Sequence, residues 1–287
     1  MIYITGTTGF VGNSILRHLA TSGEEVSPLG RKELANINLI KPNTYENTLI
    51  HTAWAGVYGK YRNDEIQYTN LELIDHLIRI TDNLKITKII AFGSQAEYGP
   101  VNRPVTENSP INPSTLYGRI KVEVLTKLQQ HCIVNNIELI WLRLFDPYGP
   151  GDRPEWFLPY VTRCFLQDIS PKLTSCTQIW DYIHIQDVLN CVHKLISSNR
   201  SINGIYNLSS NKPVSLRSIV NEILHQANPP TAVPHFGAVP HRQDQIYYMH
   251  GINDKLCNAI DWQPHVTLEE GIKSVIMSEG LELLIAK

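Results

Sequence analysis

The sequence predicts an α/β fold, a doubly wound parallel sheet with helices on both faces, and three observations carry that prediction. The chain opens on a short apolar run, Ile2 to Thr5, which passes through a Gly6-x-x-Gly9-x-x-Gly12 turn into residues at helical period from Asn13 to Ser22. Further strand-like runs and helix-period stretches then alternate along the chain, as they do in βαβ units. With 287 residues, 43% of them hydrophobic and 18% charged, a sizeable core is available and disorder is not expected.

The opening strand-turn-helix sets the frame. Gly6, Gly9 and Gly12 let backbone amides approach a pyrophosphate at the positive end of the helix, with Thr8, Phe10 and Val11 in the same turn. The generic dinucleotide spacing is G-x-G-x-x-G, and tight turns into helices use glycine anyway. The position directly after an N-terminal strand is what favours a Rossmann-type dinucleotide site. Glu25 to Leu29 reads as the second strand, ending in Gly30, Arg31 and Lys32. An acid at this strand end selects NAD and an arginine accommodates the extra phosphate of NADP, so Arg31 favours NADP; the alternative is an ordinary solvated arginine. Any element between Arg31 and the next strand, Thr48 to Trp54, is abbreviated. Tyr61 to Asp82 has apolar residues at helical period, Lys88 to Phe92 reads as a strand, and Gly93 to Gly99 follows it.

Pro113 to Lys121 opens a helix that runs to about Val134. Tyr117 and Lys121 lie one turn apart on one face, where an ammonium lowers the pKa of a phenol and suits it to proton exchange. Ile137 to Leu144 reads as a buried strand and Gly204 to Leu208 as a short one. Leu158 to Gln167, Asp187 to Ser197, Leu216 to Ala227 and Leu268 to about Met277 read as helices.

Composition excludes several classes. A net charge of −2 with no basic block argues against nucleic acid or an anionic membrane as partner. No apolar run approaches the ~18 residues of a membrane span and no signal-peptide pattern is seen, which points to a cytoplasmic protein. Cys132, Cys164, Cys176, Cys191 and Cys257 show no CxxC spacing and read as free, mostly buried thiols. The eleven histidines form no metal-binding helix pattern, so no metal is expected; His184 reads as a satisfied structural residue.

Together the glycine turn, Ser94 and Tyr117-x-x-x-Lys121 resemble the extended short-chain dehydrogenase/reductase family of nucleotide-sugar epimerases, dehydratases and reductases. The likeness continues through His51-Thr-Ala-Trp54, Arg143-Leu-Phe-Asp-Pro-Tyr-Gly149, Trp180 to Asp187, Arg242-Gln-Asp244, Ile260 to Pro264 and Leu268 to Gly271, in order and over essentially the whole chain. It implies an NAD(P)-binding domain over 1–150 with a return segment near 177–208, and a smaller C-terminal α/β substrate-binding lobe over 151–287. It implies Ser94, Tyr117 and Lys121 as the catalytic set, with Tyr117 the acid/base. Cofactor contacts fall on Gly6, Thr8, Gly9, Phe10, Val11, Gly12, Arg31, His51, Ala53, Asn70, Tyr117 and Lys121. Substrate contacts fall on Ser94, Gln95, Asp146, Trp180 and Arg242, the last suited to a diphosphate. Trp156, Phe157 and Trp180 are further stacking candidates, and no role is assigned to Tyr148 or Arg153. A homodimer through the Tyr61–Asp82 and Tyr117 helices is implied as well.

Three departures narrow the branch. Dehydratases of the family carry an Asp-Glu pair where this chain has Gln95 and Ala96, with Glu97 one place late. The epimerase-reductases that make GDP-fucose carry a cysteine where Ala96 stands. Asp146 replaces the family's asparagine, and its charge opposes a diphosphate unless it is aimed elsewhere. The expectation is reduction of a nucleoside-diphosphate 4-keto-6-deoxyhexose with NADPH, since the Gly93–Gly99 and Trp180-Asp-Tyr segments look like the reductases of the CDP-abequose, CDP-paratose, dTDP-fucose or dTDP-6-deoxytalose type. The alternatives are an NAD-dependent C4 epimerase and a non-catalytic NADP-binding regulator.

Overall fold

A computed structural model describes residues 1–36, 39, 44–198, 200–242 and 245–285. The first half runs β1 (Ile2–Thr5), α1 (Phe10–Thr21), β2 (Val26–Leu29), α2 (Arg31–Ala35), β3 (Asn47–His51), α3 (Thr69–Ile80), β4 (Ile86–Ser94), α4 (Leu116–Asn135) and β5 (Glu138–Leu144). The second half runs β6 (Pro147–Tyr148), α5 (Phe157–Leu166), β7 (Ile179–Trp180), β8 (Ile183–His184), α6 (Ile185–Ser197), β9 (Gly204–Leu208), β10 (Val214–Ser215), α7 (Leu216–Ala227), α8 (Asp254–Ile260) and α9 (Leu268–Ile285).

Six strands form one parallel sheet in the order β2-β1-β3-β4-β5-β9. Alternation along each strand builds two cores. Ile2, Ile4, Ile50, Ile90, Ile140 and Leu142 face α1 and α6, while Tyr3, Leu49, Ile89, Ala91, Leu139 and Trp141 face α3 and α4. Each such buried aliphatic side chain contributes about 1.5–3 kcal/mol of transfer free energy. Pro28 sits in β2 without a ladder N–H to give, which the outer position of that strand allows. The chain leaves β1 in one direction to β2 and in the other to β3, so a crevice opens at their carboxyl ends, where doubly wound sheets bind ligands.

A second, smaller core joins α5, α7 and α9 through Phe165, Ile219, Ile223, Ile272 and Val275. Arg163 of α5 ion-pairs with Glu279 and Glu282 of α9. The short antiparallel pair β7–β10 and the parallel pair β6–β8 link this lobe to the main sheet.

Several boundaries differ from the sequence expectation. The helix expected over Tyr61–Asp82 begins only at Thr69, after 3₁₀ turns at Gly59–Tyr61 and Glu65–Tyr68. Polar residues interrupt it: Asp64 caps the second turn by accepting from the Ile66 amide at 2.8 Å, and Asn63 caps α4 instead. The last helix continues to Ile285 rather than ending near Met277. Helix α8 was not foreseen, and its Leu256, with Trp262, returns the chain to the main core, so 151–287 crosses back more than the expected 177–208 segment. Among the described residues no strand intervenes between β2 and β3, and no helix is long and apolar enough to cross a membrane.

Candidate active site

The glycine turn closes on itself. Gly6 takes φ +77° with the Ala53 backbone where a side chain would go, and the Gly9 amide donates to the Gly6 carbonyl over 3.0 Å. A Cβ on Gly12 would collide with the Gly6 carbonyl and the Thr52 hydroxyl, so α1 seats directly on the turn. Gly9 caps α1 without any side-chain hydrogen bond. The first-turn amides thus face the crevice uncovered at the positive end of the helix, a cradle that fits a dinucleotide pyrophosphate. Thr8 is exposed on it, with Phe10 and Val11 half-buried at its base.

Below the cradle, buried His51 pairs its Nδ1 with the Thr5 hydroxyl at 2.8 Å, and burial followed by the Lys121 charge pushes its pKa down to about 3. Its Nε2 is buried without a partner. Asn70 is also buried; its amide accepts from Ala55 N at 2.7 Å and donates to the Ala55 and Gln67 carbonyls. Gln67 holds Trp54, Gly56 and Tyr61 in the same way. Both residues therefore shape the loop after β3. Arg31 is exposed at the end of β2, and beside it the Glu33 carboxylate folds back to accept from Gly30 N at 2.9 Å.

Ser94 ends β4, and Tyr117 stands in the first turn of α4. That turn is capped three ways: Thr115 accepts from Gly118 N (3.1 Å), Asn63 from Leu116 N (2.9 Å), and the Arg62 carbonyl from Tyr117 N (2.8 Å). The Arg62 guanidinium lies 4.8 Å from the Tyr117 ring centroid, and Trp54 meets that ring edge-on at 5.7 Å. Burial raises the Tyr117 pKa; Arg62 and then a hydrogen bond with Ser94 oppose it, while Glu97 and Asp146 add to it.

Lys121 lies buried one turn farther along α4. Its Nζ donates to the Phe92 carbonyl at 2.6 Å and rests 3.5 Å over the Trp54 ring, 5.8 Å from the Tyr117 centroid. Burial lowers its pKa to about 7, against the pull of Glu97.

Glu97 is fully buried, accepting from Arg143 Nε (2.8 Å), Trp141 Nε1 (3.0 Å) and Ser94 N (2.8 Å). Gly93 is required beside it, because a Cβ there would run into the Trp141 indole and the Glu97 carboxylate. Gln95 donates Nε2 to Asp146 at 2.8 Å and leaves a buried, unpartnered Oε1. Half-buried Asp146 is pushed up to about 7 by desolvation, with Arg62 the largest opposing influence and Arg242 a smaller one.

A small pocket between the lobes brings Arg62, Gln95, Ser114, Thr115, Trp180 and Arg242 together. Trp180 donates its indole N–H to the Ile246 carbonyl at 3.1 Å. The larger cavity of about 210 Å³ lies elsewhere, between α4 and the starts of β5 and β9, away from the carboxyl ends of the strands. Trp156 stacks on Tyr58 at 5.8 Å, with Arg153 over the other partner's ring at 4.7 Å, and Phe157 packs into the second core. Tyr148 is buried against Gly271, and His184 is satisfied by Ser274 and Gln186, as expected of a structural histidine. Gln243 and Asp244 of the Arg242 segment lie outside the described residues.

Sequence reasoning missed Arg62. Nothing in its spacing marks it, because a helix cap brings it to Tyr117. Among the described residues no three His, Cys, Asp or Glu side chains gather as a metal would need, and four of the five free cysteines are buried.

The sequence profile of the NAD dependent epimerase/dehydratase family matches residues 2–209. The chain is similar to the CDP-abequose synthase of Salmonella typhimurium, 23% identical over 96% of this chain and 97% of that protein. It is similar also to a putative UDP-glucose 4-epimerase of Methanocaldococcus jannaschii, 24% identical over 96% and 97%. Its fold is similar to that of MoeE5 in complex with UDP-glucuronic acid and NAD, with a TM-score of 0.87 at 18% identity over 98% of this chain and 99% of the other.

Proposed function

The chain belongs to the NAD dependent epimerase/dehydratase family, and from that premise we propose that it reduces the C4 carbonyl of a nucleoside-diphosphate 4-keto-6-deoxyhexose with NADPH. The Gly6–Gly12 cradle holds the pyrophosphate, Arg31 meets the adenosine 2′-phosphate, and Tyr117 and Lys121 border the nicotinamide ribose. When bound, the nicotinamide supplies the hydride that reduces the carbonyl carbon. Tyr117 gives its phenolic proton to the sugar oxygen, and Ser94 hydrogen-bonds the same oxygen and orients it. Arg242 takes the diphosphate, Gln95 and Trp180 line the sugar, and Asp146 faces a hydroxyl. Likeness to CDP-abequose synthase over nearly the full length supports this substrate class.

The observation that carries reduction over elimination is the burial of Glu97. The carboxylate next in sequence to the dehydratase pair's position is bound to Arg143, Trp141 and the Ser94 amide, and Asp146 is held by Gln95, leaving Tyr117 beside Ser94 as the proton-transfer group. A C4 epimerase is the second reading, favoured by Glu33: its carboxylate stands beside Arg31 at the strand end where an acid would hold an NAD ribose. Pairing of α3 and α4 with a second copy is part of the proposal, and sedimentation as a monomer at high concentration would remove it.

The test is oxidation of NADPH and NADH, side by side, with a panel of 4-keto-6-deoxyhexose nucleotides. Stoichiometric NADPH loss with one nucleotide is the expected result. Interconversion of UDP-glucose and UDP-galactose without added cofactor would replace the reductase reading by the epimerase one.

A further inference from the structure

We propose that Arg62 and Arg242 close on the diphosphate of the substrate from two sides, Arg62 as the jaw from the main sheet and Arg242 as the jaw from the smaller lobe. The inference rests on reading the crevice as a nucleotide-sugar site. It adds to that site a phosphate-binding residue outside every segment that carries the family resemblance.

Two separate elements deliver the guanidiniums to one pocket. Arg62 follows the 3₁₀ turn Gly59–Tyr61 in the loop after β3. Its carbonyl accepts from the Tyr117 amide at 2.8 Å and Asn63 caps the Leu116 amide at 2.9 Å, so α4 fixes its backbone. Arg242 lies on the segment after α7, which β7 holds: Ile179 N donates to the Tyr247 carbonyl and Met249 N to the Ile179 carbonyl, both at 2.9 Å. The loop and the segment meet at Gly59, where an added Cβ would stand 3.4 Å from Arg242 Nη1. Both arginines then line the small pocket with Gln95, Ser114, Thr115 and Trp180.

The unmet groups of that pocket describe its ligand. Two of the lining side chains are cations and, among the described residues, none is a carboxylate. Among the same residues no carboxylate is ion-paired with Arg62, and its Nε is buried without an acceptor. Asp146 lies within the field of both guanidiniums, but Gln95 Nε2 binds its carboxylate at 2.8 Å. Desolvation also raises its pKa to about 7, so part of its opposing charge is absent near neutral pH. A phosphate satisfies such a pair of cations, because the planar guanidinium takes its oxygens in pairs. The remaining orphan is an acceptor: Gln95 is 6% exposed and leaves Oε1 buried without a donor. An ionised phosphate has no proton for it, whereas a sugar hydroxyl has. Two cations and one acceptor together fit a glycosyl diphosphate. The free volume is about 20 Å³, room for one or two waters, so the ligand parts the lobes as it enters, and jaws on separate lobes allow that.

The test is nucleotide binding to the full chain, followed by titration calorimetry in an excess of NADPH and NADH, which occupy the Gly6–Gly12 cradle. CDP, UDP, dTDP and GDP are each compared with the corresponding monophosphate. The diphosphate that binds the wild type most tightly should bind R62Q at least about tenfold more weakly, the scale of one lost charge-assisted contact. R62K keeps the charge and loses the fork, so it should recover part of that affinity. The monophosphate of the same nucleoside should lose less in R62Q than the diphosphate does, a difference that a purely structural effect on α4 would not make. Unchanged diphosphate affinity in R62Q, equal losses for the two nucleotides, or no binding of any of the four diphosphates would overturn the proposal. A clamp that behaves as expected in a protein that oxidises no NADPH would remove the reductase reading and leave the clamp. NADPH oxidation with diphosphate binding unimpaired in R62Q would remove the clamp alone.

Discussion

Replacing Glu97 by alanine is expected to destabilise the protein far more than to disarm its chemistry. The carboxylate is fully buried and accepts from Arg143, Trp141 and the Ser94 amide at 2.8, 3.0 and 2.8 Å, while Arg143 is itself only 3% exposed. Removing one partner of such a pair leaves a buried charge uncompensated, at a cost of about 3–5 kcal/mol. The orphaned indole and amide donors add to this, though the losses are not additive and water entering the space offsets part of them. A loss of about 3–5 kcal/mol is roughly a fifth or more of a typical stability and corresponds to roughly 6–20 °C in Tm. Urea unfolding followed by tryptophan fluorescence reads it, since Trp141 lies in the perturbed cluster. The double variant E97L/R143M, which removes both charges, should recover much of the loss. An E97A protein that unfolds at the parental midpoint yet has lost turnover would refute the structural reading and return Glu97 to the chemistry.

Two further outcomes follow from the site. G12A, whose Cβ has no room beside the Gly6 carbonyl and Thr52, should weaken NADPH binding at least about tenfold by shifting the cradle, roughly 1.4 kcal/mol; unchanged quenching of protein fluorescence by NADPH would contradict it. Desolvation raises Asp146 from 3.8 to about 7, so between those values the folded protein holds a proton that the unfolded chain has released. The wild type should therefore lose stability relative to D146N as pH rises through that window, and the full difference should be present above about pH 7. Asp152, also raised to about 7, is shared by both proteins and cancels. Urea midpoints at pH 5 and pH 8 that move in parallel would refute this.

The main elements were legible because their signals are local. Short continuous apolar runs such as Ile2–Thr5 and Glu138–Leu144 declare buried strands that divide their side chains between two cores, and the glycine turn declares the cradle. The signal weakened where a polar residue served another element's end. Asn63 and Asp64 sit inside an apolar period that continues past them, yet their side chains terminate helices, so α3 starts at Thr69 and not at Tyr61. Helix α8 escaped notice because a short helix with Leu256 as its one buried residue has almost no periodicity to read.

The charge logic of the site was less legible than its membership. Spacing placed Tyr117 and Lys121 one turn apart, and the structure keeps them there. What spacing does not specify is desolvation, or which distant loop arrives beside the pair. Trp54 and the Phe92 carbonyl enclose Lys121 and bring its pKa to about 7, while Arg62 arrives from a distant loop because its backbone carbonyl completes the cap of α4. The same cap that starts α4 therefore brings the Arg62 guanidinium to 4.8 Å from the Tyr117 ring centroid, and a substitution that loosens the cap, such as N63A, should cost about 1 kcal/mol of stability, read as a lower urea midpoint.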